Sequence, residues 1–585
     1  MILQSLVALY EALTAKGAIA KPGRSQVRIQ YGLELNKNGQ LCAVLPLETL
    51  NERGKSIPRM FDMPAPVKRT VGIAPNFLWD NSAYILGIDQ KDKPERARNC
   101  FLAAKKLHLS LLGEEEDPFA KAICAFFQNW VPENSGQVSA LADKLKDVTS
   151  GGNLTFLFEK QFPDKYGLFD HVWQKHSMEN KNDDGEMMRC LVTGERTVPE
   201  KIHPSIKRVY GAKPSGAALV SFNAPAFCSY NREQNWNAPV SQYAAFAYTT
   251  ALNHLLSDNT HCRRFGDTTM VYWAEDAQEQ YQDIFSCMLD GNNTLTQDDL
   301  FAVVKSLAEG RNCNWDALPV KPDNHFYVLG IAPNAARLSV RFFLQDDFGA
   351  FARNFQQHFE RLRIVRPAFD KDEDLPLWRL MRETTNQNSK DKAASPQMAG
   401  DTLRAILTNG RYPATLYQQT LLRIKAEHEV TRGKAAIIKA YLLKNGRQSR
   451  YEEALTVELN KDCTYLPYIL GRLFAVLERI QLHVNPDINV TIKDKYFTSA
   501  CATPSVVFPT LLKLAEKHLR KMNEKDASYD RPQLVSLMKK INQEFPKHLN
   551  MDDQGIFEIG YYHETQAYYG NRTKTAITKE EKQNV

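Results

Sequence analysis

One stretch in the middle of the chain, residues 217–256, constrains the fold more than any other. Its apolar beginning, residues 217–222, predicts a buried strand. Pro239 suits a first helical turn, and small and aromatic residues continue without a breaker to Leu256, which predicts a helix. Residues 223–237, between the two, are dense in amide and aromatic side chains. Such a loop either reads a ligand by hydrogen bonds and stacking or only closes turns and packs at a seam.

The rest of the chain predicts an α+β fold. Its 585 residues exceed what one ordinary core holds, so several domains are expected. Before residue 381, helical patterns alternate with strand patterns, among them a hairpin of 27–33 with 41–46, a strand at 154–158, a strand at 268–273, and a strand–turn–strand unit at 324–343. We therefore predict a large mixed α/β N-terminal domain (1–381), a polar linker (382–400) and a C-terminal α-helical bundle (401–585) that ends in a polar tail after Tyr569.

Several classes of function lack their sequence signals. There is no GxxxxGK[ST] loop, no HExxH helix and no GxSxG elbow, and the ten cysteines are scattered without a CxxC pair. Residues 290–299 resemble a calcium loop, but Leu295 stands where the sharp turn needs glycine. We expect no catalytic residues, no metal site and no cofactor.

Location and charge are also constrained by the sequence. No apolar run approaches the roughly 20 residues of a membrane span, and the first residues predict an amphipathic helix rather than a signal peptide. We expect a reduced, cytoplasmic protein without membrane contact. The net charge of +6 is compatible with nucleic acid but is evidence for it only where the charges cluster.

Three small groups of residues are candidates for binding. The sequence Gly-Ile-Ala-Pro-Asn occurs twice, at 72–76 and 330–334, which predicts a similar turn used twice. Lys68 and Arg69 precede the first copy in a proline-flanked loop and are either phosphate ligands or a solvated pair. Arg337 and Arg341 stand four apart in an apolar strand and so face one side. They either grip a phosphate or a partner's carboxylates, or form a structural ion pair with an acid such as Asp346.

Several blocks together resemble a known family. They are KRTVGIAPNFLWDNSAYILG, VSFNAPAFCSYNREQNWNAPVSQYAAFAYTTALNHLL, GDTTMVYWAE, FYVLGIAPNAARLSVRFF and LPYILGRLFAVLERIQ, and they occur in one order from the start to about residue 520. This set resembles the large subunit of the type I-C CRISPR surveillance complex (Cascade).

The resemblance implies a non-catalytic subunit that sits at the end of the complex that holds the 5′ end of the CRISPR RNA. It would recognise the protospacer-adjacent motif on target double-stranded DNA and help to open the duplex, so that the guide RNA pairs and an R-loop forms. The completed complex would recruit a helicase–nuclease for antiviral defence. Partners implied are the CRISPR RNA, the target DNA, and the backbone, 5′-end-handle and small subunits of Cascade. The C-terminal bundle would resemble the small subunit.

The residues that suit this role are neutral amides and cations, because the minor groove presents mainly acceptors and the guanine amino group. The loop of Asn76 is the first choice for reading the motif, with Asn76 at the loop tip beside Lys68 and Arg69. The full set of predicted DNA-binding residues is Lys68, Arg69, Asn76, Asn81, Asn223, Gln234, Asn237, Arg337 and Arg341. The alternative is a protein-only scaffold whose neighbours carry the DNA contacts.

Overall fold

The computed structural model describes the chain to residue 583. Its gaps are residues 20, 22, 51–55, 68–71, 90–93, 180–185, 261, 291–296, 316, 371–374, 390–393, 447–450 and 542. Contacts between residues divide the chain into two compact units, one of residues 1–204 with 220–252 and the other of residues 205–219 with 253–585. The division by predicted function, with a linker at 382–400, remains a prediction.

The first unit combines short helices and small sheets. Its helices are α1 (Ile2–Ala15), α2 (Ser82–Ile85), α3 (Pro94–Leu112), α4 (Pro118–Asn129), α5 (Ser139–Ala142), α6 (Leu145–Thr149), α7 (Gly167–Glu179) and α8 (Gln242–Leu255), the last of which continues into the second unit. Its strands are β1 (Arg24–Ile29), β2 (Tyr31–Leu35), β3 (Leu41–Pro46), β4 (Glu48–Leu50), β5 (Ser56–Pro64), β6 (Trp79–Asp80), β7 (Leu154–Phe158), β8 (Met188–Arg189) and β9 (Arg196–Thr197).

Two sheets of the first unit enclose its core. One has the order β3-β2-β7-β6, with β2 and β7 parallel, and the other has the order β1-β5-β4. Strand β7 is buried along its whole length because helices and neighbouring strands cover both faces. Helix α4 contributes an apolar face that includes Phe119, Phe126 and Phe127.

The second unit joins one larger sheet to a helical bundle. Its strands are β10 (Cys262–Phe265), β11 (Thr268–Ala274), β12 (Cys313–Trp315), β13 (Leu318–Val320), β14 (His325–Asn334) and β15 (Arg337–Asp347). Its helices are α9 (Glu279–Asp290), α10 (Gln297–Ala308), α11 (Phe348–Leu362), α12 (Leu377–Glu383), α13 (Pro396–Leu407), α14 (Ala414–Glu427), α15 (Arg432–Asn445), α16 (Leu466–Val484), α17 (Ile492–Ala502), α18 (Pro504–Leu519), α19 (Glu524–Lys540) and α20 (Met551–Gln583).

The larger sheet has the order β10-β11-β14-β15, antiparallel throughout. Alternate residues of β11, such as Met270 and Tyr272, pack into the core that includes α9 and α11. The same core continues without a break into the C-terminal helices.

Helices α16 and α20 form the centre of the bundle. Ten consecutive residues of α20, 555–564, are buried, so neighbours cover this helix on every side. Glycines permit the close approach: a Cβ at Gly471 would lie 1.9 Å from the Phe557 carbonyl oxygen, and one at Gly560 would lie 2.2 Å from that of Tyr468. Buried Asp530 on α19 ties the bundle further, since it accepts hydrogen bonds from Arg479 (2.7 Å) and pairs with His483 (2.7 Å), both on α16.

The α+β prediction is confirmed, including the helical C-terminal region. The predicted hairpin occurs as β2 and β3, but residues 27–29 of its predicted first strand belong to β1, which pairs with β5 in another sheet. The predicted strands at 154–158 and 268–273 occur as β7 and β11. Helix α13 begins at Pro396, within the stretch predicted as a linker, and the sequence patterns gave no indication of α20.

Two local predictions are wrong. Residues 217–222 do not form a strand: Ala217 makes an isolated bridge with Ile206 and Ala218 one with Arg337, and the following helix begins at Gln242 rather than at Pro239. The two Gly-Ile-Ala-Pro-Asn copies also differ. Residues 330–334 end strand β14, paired with β15, whereas residues 72–76 are irregular.

Candidate nucleic-acid interface

Asn76 lies inside the first unit and not at a loop tip. Only 4% of the residue is exposed. Its side-chain oxygen accepts a hydrogen bond from the Val67 N–H (2.9 Å), and its own N–H donates to Asp80 Oδ2 (2.9 Å). Asn76 therefore joins residue 67 to residue 76 from a buried position, which corrects the prediction that it lies at a loop tip.

The segment after Asn76 is held in place by a hydrogen bond to the buried side chain of His108. Leu78 has a φ of +68°, which is uncommon for a branched side chain, and its N–H donates to Nε2 of the buried His108 (2.9 Å). The other ring nitrogen of His108 lies 2.8 Å from the Ala104 carbonyl oxygen, so Nδ1 carries the proton. Burial lowers the pKa of His108 to about 4, which keeps the ring neutral in this role.

The other predicted residues of this region have different positions. Asn81 is half-buried and caps α2, since its side-chain oxygen accepts a hydrogen bond from the Ala83 N–H (3.1 Å). Lys68 and Arg69 lie outside the described residues. In the sequence they fall within the interval that the Val67–Asn76 hydrogen bond closes.

The loop at 223–237 has a sharply defined tip. Tyr230 and Asn231 have φ values of +54° and +57°, and the Arg232 N–H donates to the Ser229 carbonyl oxygen (3.0 Å). Two central residues at positive φ are typical of a type I′ turn, which favours asparagine and glycine. A tyrosine at the first of these positions is unusual, and 95% of this tyrosine is exposed.

Asn237 holds this turn in place. Its Oδ1 accepts a hydrogen bond from the Ser229 N–H (2.7 Å), and its Nδ2 donates to the carbonyl oxygens of Arg232 (2.8 Å) and Gln234 (2.9 Å). Asn237 is therefore a supporting residue of the loop. Asn223, Arg232 and Gln234 are exposed, and Gln234 is itself held at a φ of +48°.

In the second unit, the structure separates the two predicted arginines. Strand β15 has a bulge: Ile331 pairs with Val340 and Gly330 with Phe342, so Arg341 is the extra residue and strict alternation fails there. Arg341 is about half exposed and donates to Asp267 Oδ2 (2.7 Å), so its acidic partner is Asp267 rather than Asp346. Arg337 begins the strand opposite Asn334 and is half-buried.

A set of cations that the sequence patterns did not single out lies in the same unit. Lys207, Arg208 and Lys213 are exposed on a loop that the Ile206–Ala217 bridge closes. The guanidinium carbon of Arg264 lies 3.1 Å from the ring centroid of Tyr210, in the middle of that loop. The available signal was three cations without an acid in residues 205–219.

Two further properties concern the residues that have described positions. None of their helices is both long and apolar enough to cross a membrane. None of their histidine, cysteine and acidic side chains form a group of three or more that could hold a metal ion.

The family model described as CRISPR-associated protein (Cas_Csd1) matches residues 6–569, nearly the whole chain. The chain therefore belongs to this CRISPR-associated family, the large-subunit family of the type I-C surveillance complex. Its class is that of a subunit of an RNA-guided defence complex. No curated protein matches the sequence at a significant level.

Proposed function

We propose that this chain recognises the protospacer-adjacent motif on duplex DNA and promotes local strand separation, so that the R-loop can form. The observation that carries the proposal is the Tyr230 turn, in which an aromatic ring is held almost fully exposed at the tip of a braced loop. The complex would then recruit a separate helicase–nuclease, and the chain itself would be non-catalytic.

Strain supports a functional reading of the turn. A non-glycine residue in the left-handed region costs about 1 kcal/mol or more, and such conformations persist only where surrounding contacts enforce them. The three hydrogen bonds of Asn237 supply that enforcement. A ring held exposed in this way is available for stacking, and insertion as a wedge between base pairs is one such arrangement.

The neighbours of Tyr230 suit the same ligand. Arg232 is exposed two residues after the tip and can contact a phosphate, while the exposed amides of Asn223 and Gln234 can read groove acceptors. Asn76 and Asn237 would act by holding their loops. Lys68 and Arg69 are proposed to contact phosphates from the loop that Asn76 closes, and Asn81 to support its far end.

The partners proposed are those of the surveillance complex. They are the CRISPR RNA, the target DNA, and the backbone, 5′-end-handle and small subunits, with the C-terminal bundle acting as a counterpart of the small subunit. Base pairing with the guide would read the target sequence, so this chain needs to read only the short motif and the backbone.

The test uses the assembled complex with its guide RNA and a motif-bearing duplex carrying 2-aminopurine beside the motif. Tyr230→Gly removes the ring and favours the same turn, since glycine adopts positive φ readily. We expect opening to slow about tenfold or more, because base–aromatic stacking contributes about 1–3 kcal/mol. Tyr230→Phe keeps the ring and should open DNA at the normal rate.

Two results would contradict the proposal. One is normal opening by the Tyr230→Gly complex. The other is unchanged discrimination between the motif and a scrambled motif in an Arg232→Gln, Gln234→Ala complex that assembles normally, which would favour the protein-only scaffold. The control is a duplex with a pre-formed bubble beside the motif. If the defect lies in opening, the natural complex and the Tyr230→Gly complex should bind this duplex equally.

A further inference from the structure

We infer that the second unit carries a separate binding surface for single-stranded nucleic acid, centred on Tyr210. The surface consists of Tyr210, the Arg264 guanidinium over its ring, and the exposed cations Lys207, Arg208 and Lys213 of the same loop, and we call it the Tyr210 surface. It does not require the duplex-reading role proposed above, because none of its residues belongs to the 67–81 or 223–237 segments.

The loop that carries Tyr210 is fixed at both ends. Ile206 and Ala217 exchange backbone hydrogen bonds of 2.9 and 2.8 Å, and a Cβ on Gly216 would lie 2.8 Å from the Ile206 carbonyl oxygen. Gly216 has a φ of +93°, so the tight closure of the loop depends on glycine. The cations of the loop are therefore presented from a fixed base and not from a free chain.

The middle of the loop is anchored to the larger sheet. Val209 is buried, and the Tyr210 N–H donates to Thr269 Oγ1 on β11 (3.1 Å). The Lys207 N–H donates to Asn253 Oδ1 (2.8 Å). With Val209 inside, Arg208 and Tyr210 project outward on either side of it, and both are exposed.

The ring of Tyr210 is already in a stacking arrangement. The Arg264 guanidinium lies over it at 3.1 Å, and the Arg264 Nε donates to the Gly266 carbonyl oxygen (3.0 Å), which holds the guanidinium in place. Even so, 52% of Tyr210 remains exposed. An aromatic ring backed by a cation is the kind of platform on which an unpaired base stacks.

The charge around this platform is one-sided. Residues 205–219 and strand β10 contain five cations and no acid: Lys207, Arg208, Lys213, Arg263 and Arg264. Two acids neutralise part of the field, because Asp290 pairs with Arg263 (2.6 Å) and Asp267 pairs with Arg341 (2.7 Å). Lys207, Arg208 and Lys213 remain exposed at the surface, which suits a phosphate chain.

Stacking decides between single and double strands. Bases in a duplex are stacked on each other, so an exposed Tyr210 gains little from intact double-stranded DNA, whereas a single strand offers base faces and phosphates together. In the complex, single strands come from two sources, a displaced DNA strand and the guide RNA. The shared chemistry is a phosphodiester chain with unpaired bases.

The test measures binding of the purified full chain to fluorescein-labelled oligo(dT) and oligo(U) of equal length by anisotropy at several salt concentrations. The variant replaces Lys207, Arg208 and Lys213 with glutamine. We expect at least a tenfold loss of affinity and a fall of about two in the slope of log affinity against log salt, since each phosphate contact contributes about 0.7 for single strands. Tyr210→Ala should weaken binding about tenfold and Tyr210→Phe should not.

A matched control replaces three exposed lysines elsewhere in the second unit, Lys517, Lys521 and Lys525, with glutamine. Equal weakening by both triple variants, or affinity of the Lys207, Arg208, Lys213 variant within twofold of the natural chain, would overturn the inference. Tighter binding of oligo(dT) identifies the DNA strand as the ligand and tighter binding of oligo(U) the RNA.

Discussion

The Oδ1 atom of Asn237 accepts a 2.7 Å hydrogen bond from the backbone N–H of Ser229, and so joins the two sides of the loop that presents Tyr230. The same amide donates to the carbonyl oxygens of Arg232 and Gln234. One side chain thus fixes the backbone on both flanks of a strained tip. The conformation of the loop therefore depends on Asn237, which is itself half-buried.

We predict that Asn237→Ala releases the tip. The Ser229 amide loses its acceptor, so its hydrogen exchange should accelerate at least tenfold while amides in α8 keep their rates. Asn237→Asp retains an acceptor for Ser229 and removes the two donated hydrogen bonds, so it should preserve most of the Ser229 protection. Unchanged exchange at Ser229 in the alanine variant would show that this hydrogen bond does not order the loop.

Asn76→Ala should act on stability. It leaves the Val67 N–H without its acceptor at a site that is 4% exposed, so we expect a loss of about 1–3 kcal/mol in the free energy of unfolding. Urea denaturation measures the change. The exposed Asn223→Ala is the control and should stay within about 0.5 kcal/mol of the natural chain. A fully stable Asn76→Ala chain that has lost motif discrimination would instead restore the prediction that Asn76 reads DNA.

The neutral ring of His108 predicts a pH effect. Because burial lowers its pKa from 6.5 to about 4, the unfolded chain binds a proton there before the folded chain does. Stability is therefore complete above pH 6.5 and falls as the pH drops toward 4, by about 1.4 kcal/mol per unit and about 3 kcal/mol in all from this group.

His108→Gln tests this, because glutamine does not titrate and its oxygen can accept from Leu78 as Nε2 does. Between pH 6.5 and 4.5, the unfolding free energy of the variant should fall less steeply than that of the natural chain, by about 1.4 kcal/mol per pH unit. His203, His358 and His563 are also buried with lowered pKa values, so the difference between variant and natural chain is the informative quantity. The same substitution at the exposed His171 is the control, and equal slopes for His108→Gln and the natural chain would refute the prediction.

Glycine-to-alanine substitution should have opposite effects on stability at two positions, one inside the contact between α16 and α20 and one outside it. Gly560→Ala would place a Cβ 2.2 Å from a backbone oxygen that cannot move without shifting α16, so we expect a loss of about 3 kcal/mol or more in bundle stability. Gly400→Ala, in α13, meets nothing within 4 Å and should stabilise its helix by about 0.5–1 kcal/mol. Thermal unfolding of the two variants measures both signs, and a Gly560→Ala chain as stable as Gly400→Ala would exclude the proposed close packing.

Sequence patterns predicted some helices and missed others, and the difference has a physical reason. Helix α4 has one apolar and one polar face, and this periodicity predicts a helix from the sequence. Helix α20 is buried on all sides over residues 555–564, so its sequence lacks the apolar periodicity of an amphipathic helix. Its glycines also have a low helix propensity, which argues against predicting a helix there. Packing against α16 overrides that propensity.

The binding residues show the same limit. Sequence patterns drew attention to the 223–237 loop but not to its tip, because the positive φ of Tyr230 and the hydrogen bonds of Asn237 are consequences of the folded loop. They placed Asn76 at a turn, although the fold buries it. Sequence patterns did not single out Lys207, Arg208 and Lys213. Their loop comes next to Arg264 only when the 205–219 segment is anchored to β11 in the folded chain.

The sequence by itself determined the α+β class, most helices and strands, and, through its ordered blocks, the family. The tertiary structure alone decided how equal segments differ. The five residues Gly-Ile-Ala-Pro-Asn form the end of a strand at 330–334, because β15 pairs with all of them and β11 pairs with Gly330 and Ile331 on the other edge. At 72–76 the same residues form an irregular segment, in which the Asn76 N–H donates to Asp80 Oδ2 and the Ala74 N–H to the Tyr84 hydroxyl. Local sequence fixes which backbone groups need partners, and only the assembled fold fixes which partners they find.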